Sequence, residues 1–122
     1  MRALVVDDSA VMRKIVTSAL GKMGVTDVVQ ASDGKLAVAA AMTEELNVIL
    51  MDWNMPNMSG LDALRAIRAA GNKTPVIMVT TEAERSRVIE AVRAGASNYI
   101  VKPFKPDALA TKVQETLAKF GN

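Results

Sequence analysis

The chain has 122 residues and a formal net charge of +2, and it contains neither cysteine nor histidine. These absences exclude disulfides, thiolate metal sites, cysteine nucleophiles, serine–histidine triads and a phosphohistidine carried by the protein itself. The length suits one domain, so we expect residues 1–122 to form a single domain. Lysines and arginines are scattered along the chain rather than clustered, so nucleic-acid binding is not expected.

Five short runs rich in aliphatic and β-branched residues predict strands. They are Ala3–Val6, Val28–Ala31, Val48–Met51, Val76–Val79 and Asn98–Val101. Most of these runs are apolar throughout rather than alternating. Such runs are typical of strands that are covered on both faces, as in a parallel sheet.

Segments with helical periodicity alternate with these strands. They are Ala10–Lys22, Gly34–Met42, a helix that begins after Ser59, Glu82–Ala94 and Pro106–Lys119. Gly34–Met42 is short and rich in alanine. The other four each carry one apolar stripe, which in Glu82–Ala94 consists of Val88, Ile89 and Val92, and we expect each stripe to face the core.

Residues typical of helix ends agree with these boundaries. Ser59, three residues before Asp62, resembles the start of a capping box. Gly71 and Gly95 stand where helices are predicted to end. Pro106 suits the first turn of the last helix.

The pattern is a strand followed by a helix, repeated five times. It predicts an α/β fold with a five-stranded parallel sheet, helices on both faces and right-handed crossovers. The expected architecture is a flavodoxin-like (βα)5 three-layer sandwich with strand order 2-1-3-4-5.

The ends of the chain indicate where the protein works. The apolar run after Met1 is too short and too soon followed by aspartates for a signal peptide. No apolar stretch approaches the roughly 20 residues needed to cross a bilayer, so we expect a soluble, cytoplasmic protein without membrane insertion. The last predicted helix nearly reaches the final residue, so we expect no output domain. We also expect a monomer.

Polar side chains follow four of the five predicted strands. Asp7 and Asp8 follow the first strand, Asp52 the third, Thr80 the fourth and Lys102 the fifth. Ligands of open α/β sheets bind beyond the carboxyl ends of the strands at the switch point of the strand order. With order 2-1-3-4-5, the three aspartates converge there in one pocket.

Three carboxylates this close need a counter-charge, and Lys102 alone does not suffice. A hard divalent cation with oxygen ligands meets the need, and Mg²⁺ fits best because it uses few carboxylates and keeps several waters. A carboxylate that the metal does not fully occupy can attack phosphorus as a nucleophile. Asp52 is therefore the candidate phosphoryl acceptor, with Lys102 and the Thr80 hydroxyl available to neutralise and orient the transferred oxygens.

Four motifs in this order resemble the receiver domain of bacterial response regulators. They are VVDDS at residues 5–9, MDWNMPNMSG at 51–60, VTTE at 79–82 and YIVKPF at 99–104. The resemblance covers essentially the whole chain, and residues 52–60 and 95–99 are particularly similar to those of stand-alone chemotaxis regulators. It implies a phosphorylation-activated protein of a two-component system.

The resemblance also implies a role for each matching residue. Asp52 is expected to be the phosphoacceptor. Asp8, Asp52 and the backbone carbonyl of Asn54 are expected to bind Mg²⁺ directly, and Asp7 mainly through water. Lys102 is expected to pair with the phosphoryl group.

The same resemblance implies a switch and two partners. Thr80 and Tyr99 are expected to form the switch, in which the hydroxyl moves to the phosphate and the ring turns inward. The Lys102–Pro103 bond is expected to be cis. The implied partners are a sensor histidine kinase as donor and an effector that reads the face near Tyr99, with the flagellar motor switch or another chemotaxis component as the candidate.

Two residues depart from the family pattern. Ser59 stands where many relatives have aspartate, although it still suits a helix cap. Thr81 stands where a smaller residue is common, and it can cap the following helix. Its bulk is expected to crowd the phosphate entrance and to alter the rates of phosphorylation or dephosphorylation.

Each candidate residue also has a purely structural interpretation. Asp7 and Asp8 can cap the first helix, and Thr80 can be a cap as well. Lys102 can be a solvated lysine, and Tyr99 can be an ordinary strand aromatic. Trp53, beside the acidic pocket, is expected to be partly exposed.

Two other functions compete with the signalling hypothesis. One is a Mg²⁺-dependent phosphatase or phosphotransferase that uses Asp52 as nucleophile on a metabolite, although the chain lacks an insert to enclose a substrate. The other is a nucleotide or flavin carrier. The glycines form neither of the two common phosphate-binding motifs, which disfavours the carrier.

Overall fold

A computed structural model describes residues 1–121 and shows a five-stranded, wholly parallel sheet in the order β2-β1-β3-β4-β5. The strands are β1 (Arg2–Val6), β2 (Asp27–Ala31), β3 (Val48–Asp52), β4 (Val76–Thr80) and β5 (Asn98–Val101). The predicted fold class and strand order are confirmed. Each observed strand lies within one residue of its prediction at either end.

The helices are α1 (Ala10–Lys22), α2 (Gly34–Thr43), α3 (Gly60–Ala69), α4 (Val88–Ala94) and α5 (Pro106–Phe120). The predicted helix Glu82–Ala94 is wrong in its first half, because Glu82–Arg87 forms a 3-10 helix and the α-helix begins only at Val88. In that tighter first turn the Glu84 carboxylate reaches back to the backbone N–H of Thr81. Among residues 1–121, no helix is long and apolar enough to span a bilayer.

Alternate residues of the strands fill two separate cores, one on each face of the sheet. Leu4, Ile49 and Met78 point to the face covered by α2, α3 and α4. Ala3 and Leu50 point to the face covered by α1 and α5. Because successive strand residues point to opposite faces, two buried faces require strands that are apolar throughout, which is the pattern the sequence showed.

Side-chain caps, glycines and a proline mark the starts and ends of several helices as predicted. The Ser59 hydroxyl accepts a hydrogen bond from the Asp62 N–H at the start of α3. Gly71 and Gly95 both have positive φ just beyond α3 and α4, a conformation that glycine adopts without steric cost. Pro106 is the first residue of α5.

The apolar stripe predicted for the fourth helix does not face the core. Ile89 and Val92 are 65% and 55% exposed, and Ala91 is the buried residue of α4. Helix α4 is only seven residues long and approaches the sheet through small side chains. Its larger apolar residues therefore point to solvent, and the sequence-based expectation for them is wrong.

Candidate functional site

Three carboxylates meet at the carboxyl end of the two central strands. Asp52 is the last residue of β3, and Asp7 and Asp8 directly follow β1. One carboxylate oxygen from each lies within 4.8 Å of one from each of the others. Asp7 and Asp52 are buried, whereas Asp8 is exposed. The convergence predicted from the strand order is confirmed.

Local contacts fix the first of these aspartates. An Asp7 carboxylate oxygen accepts from the Ser9 N–H at 2.9 Å, and the Arg13 guanidinium donates to the Asp7 carbonyl oxygen at 2.7 Å. Ser9, rather than either aspartate, is the N-cap of α1 and accepts from the Met12 N–H. The interpretation of Asp7 and Asp8 as helix caps is therefore wrong.

Lys102 supplies the cation of the pocket. Its Nζ lies 2.9 Å from Asp52 Oδ1 and 3.9 Å from Asp7 Oδ2. The Lys102 N–H donates to the Thr80 carbonyl at 2.6 Å, which holds the residue beside β4. The Lys102–Pro103 peptide is cis, as expected. The interpretation of Lys102 as an ordinary solvated lysine is wrong.

Burial and like charges shift the acidity of the buried pair. Burial raises the pKa of Asp7, and the neighbouring charges of Asp52 and Asp8 raise it further. Burial likewise raises the pKa of Asp52, although its hydrogen bond to Lys102 opposes the increase. Burial lowers the pKa of Lys102, but the hydrogen bond and charge of Asp52, joined by Asp7, raise it overall.

The donor set of this pocket fits a hard divalent cation. Its ligands are carboxylate oxygens, and three negative charges face one ammonium group. Mg²⁺ prefers oxygen ligands and binds through one or two carboxylates while keeping waters. A cation between the aspartates would offset the repulsion and the desolvation that raise the pKa values of Asp7 and Asp52.

The two predicted switch residues lie on β4 and β5. Thr80 is fully buried at the end of β4, and its hydroxyl donates to the Ile100 carbonyl at 3.4 Å. The residue that caps the following 3-10 helix is Thr81, so Thr80 is not the cap. Tyr99 is half-buried, and the Lys112 ammonium lies 5.3 Å from the centre of its ring.

Thr81 and Lys102 both line a surface groove of about 400 Å³. The expectation that the bulk of Thr81 crowds the phosphate entrance and alters phosphorylation or dephosphorylation rates stays a prediction.

The loop after Asp52 is closed tightly by glycine. A Cβ on Gly60 would lie 2.0 Å from the Asp52 carbonyl oxygen, and the Gly60 N–H donates to the Trp53 carbonyl at 2.8 Å. Trp53 is only 1% exposed, so the expectation of a partly exposed ring is wrong. The ring packs into the core between the sheet and α3, with the Arg87 guanidinium 5.0 Å from its centre.

Asn54 and Glu84 form a contact that the sequence-based interpretation missed. The Asn54 side-chain amide donates to the Glu84 carboxylate, which is itself buried. The second Glu84 oxygen accepts from the Thr81 N–H at 2.8 Å. The spacing of Thr81 and Glu84 is that of a capping box, a signal that could have predicted half of this contact.

The matching family is described as the response regulator receiver domain, and it matches residues 3–114. The chain belongs to this family, whose members act in two-component signalling. A chemotaxis protein CheY homolog of Campylobacter jejuni is 43% identical over 120 residues, which cover 96% of this chain and 92% of the homolog.

Solved structures agree with the family assignment. The chemotaxis response regulator CheY4 of Vibrio cholerae is 36% identical, with a TM-score of 0.88 over 95% of this chain and 98% of that one. The receiver domain of a sensor histidine kinase from Pseudomonas aeruginosa is 31% identical, with a TM-score of 0.86 over 96% and 97% of the two chains. That structure has a magnesium ion coordinated in its active site cleft.

Proposed function

We propose that this protein is a single-domain response regulator that accepts a phosphoryl group on Asp52 from a sensor histidine kinase. The observation that carries the proposal is the pairing of the Lys102 ammonium with Asp52 at 2.9 Å, inside a cluster of three carboxylates. This is an arrangement of a nucleophile, a cation and oxygen ligands for a metal. The CheY names of its relatives support a role in chemotaxis.

Mg²⁺ is the proposed cofactor, held directly by Asp8, Asp52 and the Asn54 carbonyl and through water by Asp7. When bound, Mg²⁺ neutralises negative charge on the phosphoryl oxygens. The magnesium ion in the Pseudomonas receiver domain supports the choice of metal. The carboxylate ligands of this chain suit Mg²⁺ for the reasons of charge and ligand type given above.

The chain's own residues divide the chemistry between them. A carboxylate oxygen of Asp52 forms the new O–P bond as the P–N bond of the donor's phosphohistidine breaks. The electron pair leaves with the donor imidazole, which takes up a proton from solvent. Lys102 pairs with the transferred oxygens, and because Asp52 is buried, few waters compete for the aspartyl phosphate.

The proposed response is a rearrangement of Thr80 and Tyr99. The Thr80 hydroxyl leaves the Ile100 carbonyl, to which it is hydrogen-bonded at 3.4 Å, and turns to the phosphoryl group. The half-buried Tyr99 ring then turns inward. An effector, with the flagellar motor switch as the candidate, reads the altered face formed by α4, β5 and α5.

The protein is proposed to act as a switch rather than as an enzyme with a separate substrate. The competing hypothesis of a metabolite phosphatase is disfavoured by the family membership. The protein is proposed to work as a cytoplasmic monomer.

Trp53 fluorescence tests the acceptor site directly, because the ring follows Asp52 and is shielded from solvent. Mg²⁺ is titrated first, followed by beryllium fluoride as a mimic of the phosphoryl group. We expect saturable Mg²⁺ binding and a further change on addition of the mimic. The mimic response should be lost in Asp52→Asn.

Asp8→Asn serves as a second arm of the same experiment. It removes the exposed carboxylate and should abolish the Mg²⁺ response. Without Mg²⁺ it should raise the free energy of unfolding by about 1 kcal/mol, the scale of one like-charge contact near 4 Å in water. If the wild type binds neither Mg²⁺ nor the mimic by fluorescence or calorimetry, the proposed function is wrong.

A further inference from the structure

Glu84 is a buried carboxylate outside the three-aspartate cluster, and its negative charge is one of those that raise the pKa of Lys102. Only 7% of the residue is exposed, although it lies in the short 3-10 helix Glu82–Arg87. One of its oxygens accepts from the Thr81 N–H at 2.8 Å, and the other accepts from the Asn54 amide. Because a buried carboxylate is costly without hydrogen bonds, these two contacts are what hold the side chain inside.

The two partners of Glu84 belong to two different parts of the acceptor site. Asn54 lies two residues after Asp52, and Thr81 directly follows Thr80. Glu84 therefore ties the loop after the acceptor aspartate to the backbone beside the switch threonine. A second tie joins the same two segments, since the Arg87 guanidinium lies 5.0 Å from the centre of the Trp53 ring.

The contacts of Glu84 with Asn54 and Thr81 bear on the position of Thr80 before phosphorylation, which is called its resting arrangement. In the structure the Thr80 hydroxyl donates to the Ile100 carbonyl on β5 rather than to Asp52. Thr80 and Thr81 are adjacent, so a turn of the Thr80 hydroxyl towards Asp52 that carries the backbone at residues 80–81 with it is a shift of the Thr81 N–H as well. The hydrogen bond from the Thr81 N–H to Glu84 opposes that shift, because breaking it leaves a buried carboxylate with a lost partner.

We propose that Glu84 is a positioning residue that restrains Thr80 and Thr81 in the resting state and thereby weakens binding of a phosphoryl group at Asp52. This inference rests on the proposed function, because it concerns the same acceptor site. A site that must first leave a favoured resting arrangement binds its ligand with reduced apparent affinity. Removal of the restraint therefore tightens binding.

Glu84→Gln is the informative variant. Glutamine keeps the shape of the side chain, but its NH₂ group is a donor and cannot accept a hydrogen bond. Its single oxygen can accept from only one of the two partners, and both contacts persist only if the Asn54 amide turns over to accept from the glutamine NH₂. In either case the charge that strengthens both hydrogen bonds is lost. Glu82→Gln is the control for net charge, since it removes one negative charge from the surface of the same 3-10 helix. The Glu82 side chain is exposed and pairs at the surface with Arg85.

The experiment measures the affinity of each variant for beryllium fluoride at saturating Mg²⁺, by Trp53 fluorescence and by calorimetry. Glu84→Gln should bind the mimic at least about threefold more tightly than the wild type, the scale expected when a hydrogen bond to a charged group becomes one to a neutral group. Glu82→Gln should match the wild type. A merely structural role for Glu84 predicts weaker binding, because damage to the fold does not raise affinity.

A double-mutant cycle with Asn54→Ala separates the two ties. Alanine keeps the backbone carbonyl proposed for the metal but removes the amide that contacts Glu84. If Glu84 acts through Asn54, the gain from Glu84→Gln should shrink in the Asn54→Ala background. A gain of full size in that background would overturn this part of the inference and leave the Thr81 tie as the restraint.

The outcomes distinguish this inference from the proposed function. If the wild type binds the mimic and Glu84→Gln binds it equally or more weakly, the restraint is wrong and the acceptor site stands. If the wild type does not bind the mimic at all, the proposed function and the inference that rests on it both fail. If Glu82→Gln tightens binding as much as Glu84→Gln, the effect is one of net charge, and the restraint is again wrong.

Discussion

Helix α3 and the segment 82–94 cover the same face of the sheet, but different forces hold them in place. Helix α3 buries Leu61, Leu64 and Ile67 almost completely. Segment 82–94 exposes Ile89 and Val92 and buries Ala91 and Glu84. The first element is held by apolar burial and the second mainly by polar contacts.

The partly buried polar contacts of segment 82–94 lie at its two ends. Glu84 ties its start to Asn54 and Thr81. At its end, the Arg68 guanidinium of α3 donates to the Gly95 carbonyl at 2.9 and 3.1 Å. Moving a buried apolar side chain into solvent costs free energy in proportion to its buried area, whereas moving an exposed one costs little. A displacement of segment 82–94 therefore costs less free energy than a displacement of α3. Segment 82–94 directly follows Thr81, so a rearrangement of Thr80 can move it more easily than it can move α3.

The largest expected difference between the two elements is in the response to truncation. Leu64→Ala in α3 should lower the free energy of unfolding by about 3 kcal/mol, since it removes a fully buried side chain and leaves a cavity. Ile89→Ala in α4 should change it by less than about 0.5 kcal/mol, as for most surface substitutions. Urea denaturation followed by circular dichroism measures both. Equal losses would contradict the comparison.

The contact between the two elements should have an intermediate effect. Arg68 also donates to the carbonyls of Asn72 and Thr74, and burial lowers its pKa. Arg68→Ala should lower the free energy of unfolding by about 2 kcal/mol, as measured by urea denaturation. This value lies within the range for hydrogen bonds to charged groups. Arg68→Lys should recover less than half of the loss, because an ammonium cannot reproduce the planar fork.

Hydrogen exchange shows whether the Arg68 contact acts on α4 itself. In Arg68→Ala the amides of residues 88–94 should exchange faster than in the wild type, while those of α3 keep their protection. Arg65→Ala is the control, because Arg65 lies on the same helix and contacts α4 only through an exposed ion pair with Glu90. Uniform acceleration across both helices would mean that Arg68 stabilises the whole fold and does not hold α4 in particular.

The smallest effect is expected for the surface ion pairs between the helices. Glu90 pairs with Arg87 at 3.3 Å and with Arg65 at 3.5 Å, and all three side chains are exposed. Glu90→Gln should leave the melting temperature at neutral pH nearly unchanged, since such pairs contribute little. A large loss would mean that surface charges, rather than the two end contacts, hold α4.

The pH dependence of this pair has a definite sign. The hydrogen bond from Arg87, followed by its charge and that of Arg65, lowers the pKa of Glu90 below its ordinary value. The stabilising contribution is therefore fully present above the ordinary glutamate pKa and is lost as the pH falls through the lowered one. Any difference between wild type and Glu90→Gln should vanish at acid pH, and a difference that grows there would contradict this assignment.

Much of the acceptor site was predictable because its parts follow from strand ends. Asp7, Asp8, Asp52 and Lys102 each stand just beyond an apolar run, and parallel strands bring their carboxyl ends to one edge. The contact between Asn54 and Glu84 was not predictable in this way. It joins residues 30 positions apart that no shared periodicity or strand end connects.

Trp53 and the fourth helix show why the other expectations failed. A tryptophan next to an acidic pocket is expected to be partly exposed. Gly60, however, lets the loop pass close to the Asp52 carbonyl, and the Trp53 ring lies in the core. The Val88, Ile89 and Val92 stripe reads as buried, yet the short helix leaves two of its members in solvent. In both cases the local pattern was clear, and the path of the backbone decided the outcome.

The sequence by itself determined the α/β fold, the order of its elements and the residues that meet at the end of the sheet. It did so because apolar runs, helix caps and strand ends are local signals that a parallel sheet then assembles in one way. Only the tertiary structure decided which side of segment 82–94 faces the sheet and which polar groups hold it. Apart from the capping-box spacing of Thr81 and Glu84, those features depend on loop closure and on contacts between distant residues, which no local signal encodes.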